Sequence, residues 1–138
     1  RDHFYLAHQA KSALIDARGH QVSELPEDSI LLLEDGHCMR DHALSACSIK
    51  NANKVSHITA TSLLTLVQMV DADLGVTYLP EMAIGSPLLR NTRIKTTALD
   101  SESYREIGLV WRKASTRNEE FELLGRFIKE NYQASKTV

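Results

Sequence analysis

The sequence predicts an α/β fold, and three observations carry that prediction. The run Ile30-Leu31-Leu32-Leu33 is continuously apolar between Asp28-Ser29 and Glu34-Asp35-Gly36, as in a strand covered on both faces. Strand-prone segments alternate with stretches of helical periodicity, which implies a largely parallel sheet. The strongest breakers (Gly36, Gly75, Pro80, Gly85 and Pro87) fall between these segments.

Taken in order, Phe4–Ala7 is a short apolar strand, and Lys11–Gln21 is too mixed to assign. Ser23–Asp28, with Pro26 and three acids, reads as a turn or a single helical turn. Ile30–Leu33 is the buried strand, and Asp35 is a candidate cap for the helix that follows. That helix spans His37–Ile49, with Met39, Ala43, Leu44 and Cys47 recurring near a helical period. After the loop 51–54, Val55–Ala60 alternates as a strand. Thr61 and Ser62 then precede an amphipathic helix with Leu63, Leu66, Val67 and Val70 on one face, which stops before Gly75. Val76–Leu79 is a strand ended by Pro80, and Glu81–Ile84 is one helical turn. Ile94–Leu99 is a further strand and Asp100–Tyr104 a polar crossover. Glu106–Trp111 alternates as a strand, and Glu119–Tyr132 is a helix with Phe121, Leu124, Phe127, Ile128 and Tyr132 inward. Gln133–Val138 reads as a frayed end, and neither internal repeats nor low-complexity tracts are visible.

The composition excludes several classes. With 138 residues, 43% apolar and 25% charged, the chain makes one domain or two small lobes. Sixteen Lys/Arg against eighteen Asp/Glu leave a net charge of −2, which removes the simplest case for nucleic acid binding. Two cysteines are too few for a secreted disulfide scaffold, so a reducing, cytoplasmic setting is expected. The four-residue run at Ile30–Leu33 is far short of a membrane span, and no membrane partner is expected. The chain starts at Arg1 without a signal-like run and reads as a piece of something longer.

The densest polar cluster is 34–42, Glu-Asp-Gly-His-Cys-Met-Arg-Asp-His. Cys38 would fall in the first turn of its helix, where unpaired N–H groups and the dipole favour an anion, and His37 and Arg40 stand beside it. Glu34, Asp35 and Asp41 oppose this charge, and a small buried thiol is the plain alternative. Cys47 lies nine positions on, which at 1.5 Å per residue is about 13–14 Å along a helix. A disulfide needs Cα atoms within about 7 Å. The pair is therefore either two unrelated thiols or a switch that must unwind to bond. His37, Cys38, His42 and Cys47 offer zinc-type ligands at spacings zinc sites do not use, so no metal and no cofactor are expected. No Gly-x-Ser-x-Gly and no phosphate loop is present. His57 reads as a strand histidine, Thr61 and Ser62 as a helix cap or anion site, and Arg105 as a surface ion-pair partner.

The stretch 33–41, Leu-Glu-Asp-Gly-His-Cys-Met-Arg-Asp, with Cys47 nine residues past the first thiol, resembles the redox centre of the hydrogen-peroxide-sensing OxyR family of LysR-type transcription regulators. The resemblance continues through His57, Ala60-Thr61-Ser62-Leu63, Met69-Val70, Gly75-Val76-Thr77, Leu79-Pro80, Arg105, 107–110 and Arg112, in the family's order. It implies a type II periplasmic-binding-protein-like regulatory domain. Residues 1–99 would be its second lobe, and 100–138 the returning strand and helix of its first. Residue by residue, Cys38 matches the peroxidatic and Cys47 the resolving cysteine. His37 and His57 match pocket histidines, Arg105 matches an arginine that would favour the thiolate, with Arg40 as its local neighbour, and Thr61 and Ser62 match the helix start at the interlobe cleft. Ala46 replaces a bulky residue, and Asp71 and Asp73 replace small ones.

The resemblance further implies a stoichiometric sensor rather than an enzyme. Peroxide would close a Cys38–Cys47 disulfide, refold 38–47 and be reversed by glutaredoxin or thioredoxin. A homodimer or tetramer, DNA and RNA polymerase would be partners of the full-length protein only. The competing expectation is a LysR-type domain that binds a small effector in the cleft, without thiol chemistry.

Overall fold

A computed structural model describes residues 1–15, 24–49 and 51–135, with side chains to 132. The expectations for 16–23 and 136–138 lie outside the described residues. Two compact units are present, Arg1–Glu106 and Ile107–Val138. The first contains β1 (Asp2–Gln9), β2 (Ile30–Leu33), α1 (Cys38–Ala46), β3 (Val55–Ala60), α2 (Leu63–Asp71), β4 (Thr77–Pro80), α3 (Glu81–Ile84), β5 (Ile94–Ala98) and β6 (Tyr104–Arg105). The second contains α4 (Asn118–Ser135).

The sheet is mixed, which corrects the expectation of a largely parallel one. β2 and β3 pair in parallel, and β2 bridges in parallel to Val76 at the foot of β4. β1 is the exception: β4, β5 and β6 all run antiparallel to it. The strand alternation in sequence reports the βαβ crossovers through α1 and α2, but it is blind to a first strand inserted against their direction.

The buried run behaves as its sequence requires. Ile30 and Leu32 pack with Phe4, Leu6, Ala43, Cys47, Val76 and Tyr78, the cluster under α1. Leu31 and Leu33 pack on the opposite face with Ala60, Leu66 and Val70 under α2. α2 buries Leu66, Val67 and Val70, and Ser62 caps it by accepting a hydrogen bond from the Thr65 N–H at 3.1 Å. Asp35 does not cap α1. His37 holds the cap position without a side-chain bond, and Asp35 is drawn instead to Arg40, at 2.8 Å.

Gly75 lets β4 approach β2. The Val76 N–H donates to the Ser29 carbonyl at 2.9 Å, and the Leu31 N–H donates to the Val76 carbonyl at 2.8 Å. A Cβ on Gly75 would stand 2.5 Å from the Ser29 oxygen and 2.9 Å from Leu31 Cγ. Gly75→Ala is therefore expected to cost about 1–3 kcal/mol, read as a lower urea midpoint at unchanged slope.

In the second unit, 107–111 forms no strand, and no described segment pairs with it. Of the predicted inner face of α4, Leu124, Phe127 and Ile128 are exposed and Phe121 and Tyr132 are half-buried. Within this unit Trp111 stacks at a tilt on Phe121, with ring centroids 5.7 Å apart, and its indole N–H donates to Asn118.

Candidate functional site

The parallel strands β2 and β3 end side by side, with Leu33 opposite Ala60 and the Glu34 N–H donating to the Ala60 carbonyl at 3.0 Å. From these two ends the chain enters α1 and α2. The N-termini of both helices, with Cys38 on one and Thr61-Ser62 on the other, therefore leave from the carboxyl edge of the strands. Open α/β sheets place ligands at that edge. Gly36, at φ 93°, makes the turn that brings Cys38 there.

Cys38 is exposed and is the first residue of α1. No side chain caps this helix, so its first N–H groups and its dipole favour negative charge at that end. Arg40 is held by two contacts, the Asp35 carboxylate at 2.8 Å and the Leu33 carbonyl, to which its Nη1 donates at 3.1 Å. Arg105 Nε donates to the buried Asp2 carboxylate at 2.9 Å, and Nη1 reaches Met39 Sδ at 2.7 Å. Arg105 thus abuts the residue next to Cys38 while its charge is matched by Asp2.

His37 is exposed beside Cys38. His57 is placed differently. The β2–β3 register slips between Ile30 and Leu32, so that Ile30 pairs with Val55 but Leu32 with Thr59, and His57 lies in the bulge. Its N–H donates to Asp28 Oδ1 at 2.9 Å. That bond, with a second from Ser56, holds the Asp28 carboxyl below its ordinary range. His57 is therefore anchored by its backbone before β2 begins, and it makes no hydrogen bond to Cys38. Neither Asp28, at φ 57°, nor Asp2 is a site candidate on the sequence alone. The turn signal around Pro26 marks the first; nothing local marks the second.

Cys47 is the opposite of Cys38. It caps the C-terminus of α1, is buried, and lies where the helix dipole disfavours an anion. Burial, with a smaller push from Asp100, drives its thiol up to about 12. Both cysteines are free thiols at opposite ends of one helix. Among the described residues no three His, Cys, Asp or Glu side chains are grouped to hold a metal ion.

The Cys47 shift has a pH consequence. Its folded value is raised, so the contribution is present below about 9 and is lost as pH rises toward 12, where the unfolded chain ionises first. The urea midpoint should fall between pH 8 and pH 10.5, and Cys47→Ala should flatten that slope.

The mixed α/β fold, with two helix N-termini at the carboxyl edge of its parallel strands, is that of a periplasmic-binding-protein-like domain. The chain belongs to the LysR substrate-binding domain family, whose profile matches residues 1–133. It is 38% identical over 111 residues to the HTH-type transcriptional regulator EstR of Acinetobacter baylyi, covering 80% of this chain and 37% of that protein. It is 37% identical over 108 residues to the DNA-binding transcriptional dual regulator OxyR of Escherichia coli, covering 78% of this chain and 35% of OxyR. Among solved structures, the reduced regulatory domain of OxyR2 from Vibrio vulnificus superposes with a TM-score of 0.86 at 38% identity, covering 94% of this chain and 61% of that one. The chain thus spans little more than a third of the length of these curated relatives. No helix among the described residues is long and apolar enough to cross a membrane.

Proposed function

We propose that this chain is the redox-sensing part of a LysR-type regulator that detects hydrogen peroxide through a reversible Cys38–Cys47 disulfide. The observation that carries the reading is the asymmetry across α1: an exposed thiol at the end that favours an anion, and a buried, protonated thiol at the other. Similarity to proteins named hydrogen peroxide-inducible genes activators supports it.

The Cys38 thiolate attacks one peroxide oxygen, the O–O bond breaks, and hydroxide leaves and takes a proton to become water. Cys38 is then a sulfenic acid. The Cys47 thiol attacks that sulfur, the S–OH bond breaks, and a second water leaves. Two thiols are oxidised for one peroxide reduced. His37 beside Cys38, Arg40 two residues on, Arg105 against Met39 and His57 on β3 are the groups assigned to assist. Because α1 separates the thiols by about 13 Å of helix rise, bonding requires 38–47 to unwind. Closing so short a loop stabilises the oxidised form by at most a few kcal/mol, so a dithiol protein such as glutaredoxin or thioredoxin can reverse it.

Residues 1–99 serve as the second lobe of the regulatory domain and 100–138 as the returning part of the first. In the full-length protein the refolding would alter subunit arrangement on DNA and contact with RNA polymerase, in the cytoplasm. The test is a thiol count after slight peroxide excess. Loss of two thiols per chain, restored by dithiothreitol, is expected. Unchanged thiols would instead favour an effector-binding domain with its ligand near Thr61 and Ser62.

A further inference from the structure

We propose that Tyr78 is a positioning residue for Cys47, its hydroxyl stranded against the Cys47 end of α1 so that this end detaches readily from the core. Its role in disulfide formation rests on the redox reading above; its effect on Cys47 release does not.

Tyr78 lies on β4 opposite Leu6 and is only 2% exposed. It shares one core cluster with Ala43 and Cys47, so its ring forms part of the floor on which the second half of α1 rests. Burial raises its phenol, and Cys47 adds to the effect, as neighbouring acids do. Two buried side-chain polar atoms have no hydrogen-bond partner among the described residues, the Tyr78 hydroxyl and His42 Nδ1. One lies on α1 and the other in the cluster beneath it. Unmet hydrogen bonds are thus concentrated at the helix that the mechanism has to unwind.

An unpaired buried hydroxyl is a standing cost of the docked state, and it is relieved when water reaches it. Release of the α1 end supplies that access. The end also has room to move. Cys47 lines an open hollow of about 420 Å³ together with Ser45, Ser48, Asp100 and Tyr104. Just past it, Ser48 takes a left-handed conformation at φ 51°, closed by the Ile49 N–H bonding back to the Leu44 carbonyl at 3.1 Å. A serine there carries the Cβ penalty that glycine avoids, so the stop of α1 is itself weakly fixed.

Tyr78→Phe removes the hydroxyl and keeps the ring. In a Cys38→Ser background, Cys47 alkylation by excess thiol reagent reads how often the α1 end opens. The substitution should slow it roughly five- to thirtyfold. A role in packing alone predicts that Phe behaves as Tyr. An unchanged or faster rate overturns the proposal. With both cysteines present, the midpoint potential of the couple should rise by about 30 mV for each tenfold slowing, since the dithiol form is the one stabilised. Slower alkylation in a chain that forms no disulfide upholds the Tyr78 assignment and sinks the redox reading. Disulfide formation with unaltered Cys47 release does the reverse.

Discussion

Cys38→Ser is expected to abolish peroxide-dependent thiol loss: its one remaining thiol, Cys47, should stay fully titratable after a treatment that consumes both in the parent chain. Cys47 is buried, faces the unfavourable end of the α1 dipole and holds its proton to about pH 12. Almost none of it is thiolate near neutral pH, and the thiolate is the form that attacks peroxide. Cys38 is exposed at the opposite end, where uncapped N–H groups stabilise an anion. The two single variants should therefore differ in kind. Cys47→Ser loses one thiol and stops at a sulfenic acid that a dimedone-type probe traps, and continued exposure drives it to the sulfinic acid. If Cys47 is consumed without Cys38, or no sulfenate can be trapped in Cys47→Ser, the assignment of Cys38 as the attacking sulfur is wrong. Full denaturation in urea should abolish the difference between the thiols, since it resides in α1 and not in the cysteines.

What was legible in the sequence is what local pattern encodes. Ile30–Leu33 reads as a strand covered on both faces, and the structure divides its side chains between the α1 and α2 sides of the sheet. Ser62 reads as a cap because a hydroxyl before an apolar helical face has one common use, and it caps α2. The position of Cys38 at the start of α1 follows from the turn at Gly36 in the same way.

What was illegible depends on partners far along the chain. Asp2 and Arg105 are 103 positions apart, and neither carries a local sign of the other. The reversal of β1 is a property of the sheet, not of its residues. The bulge that moves His57 requires two strands to be compared, since β3 alone alternates acceptably. Asp35 illustrates competition: as a sequence it is a good cap, but Arg40 one turn into the helix offers its carboxylate a full charge instead of a backbone N–H. The segment 106–111 has strand composition without a ladder, and a strand with no neighbour is only an extended chain.

Arg105→Ala should be the most destabilising single change near the site, by about 3–5 kcal/mol, because it leaves the Asp2 carboxylate buried without its counter-charge. Asp2 is 1% exposed and is held by two donors, Arg105 Nε at 2.9 Å and the Met82 N–H at 3.1 Å. The pair also closes the fold, since Asp2 and Arg105 are opposed in the β1–β6 ladder and Arg105 reaches Met39 on α1. A loss of that size is a large fraction of a small domain's stability and should lower the unfolding midpoint on the order of 10 °C or more. Arg105→Lys should recover part of it, as a point charge cannot reproduce both the Asp2 and Met39 contacts of a guanidinium. Pairing Arg105→Met with Asp2→Asn removes both charges together and should be much milder than Arg105→Ala alone. Buried ion pairs are costly to halve and cheap to replace whole. Urea titration of the parent, Arg105→Met, Asp2→Asn and the double variant gives the coupling directly. A coupling near zero would mean that water already reaches Asp2, and that Arg105 is free to direct its charge toward Cys38.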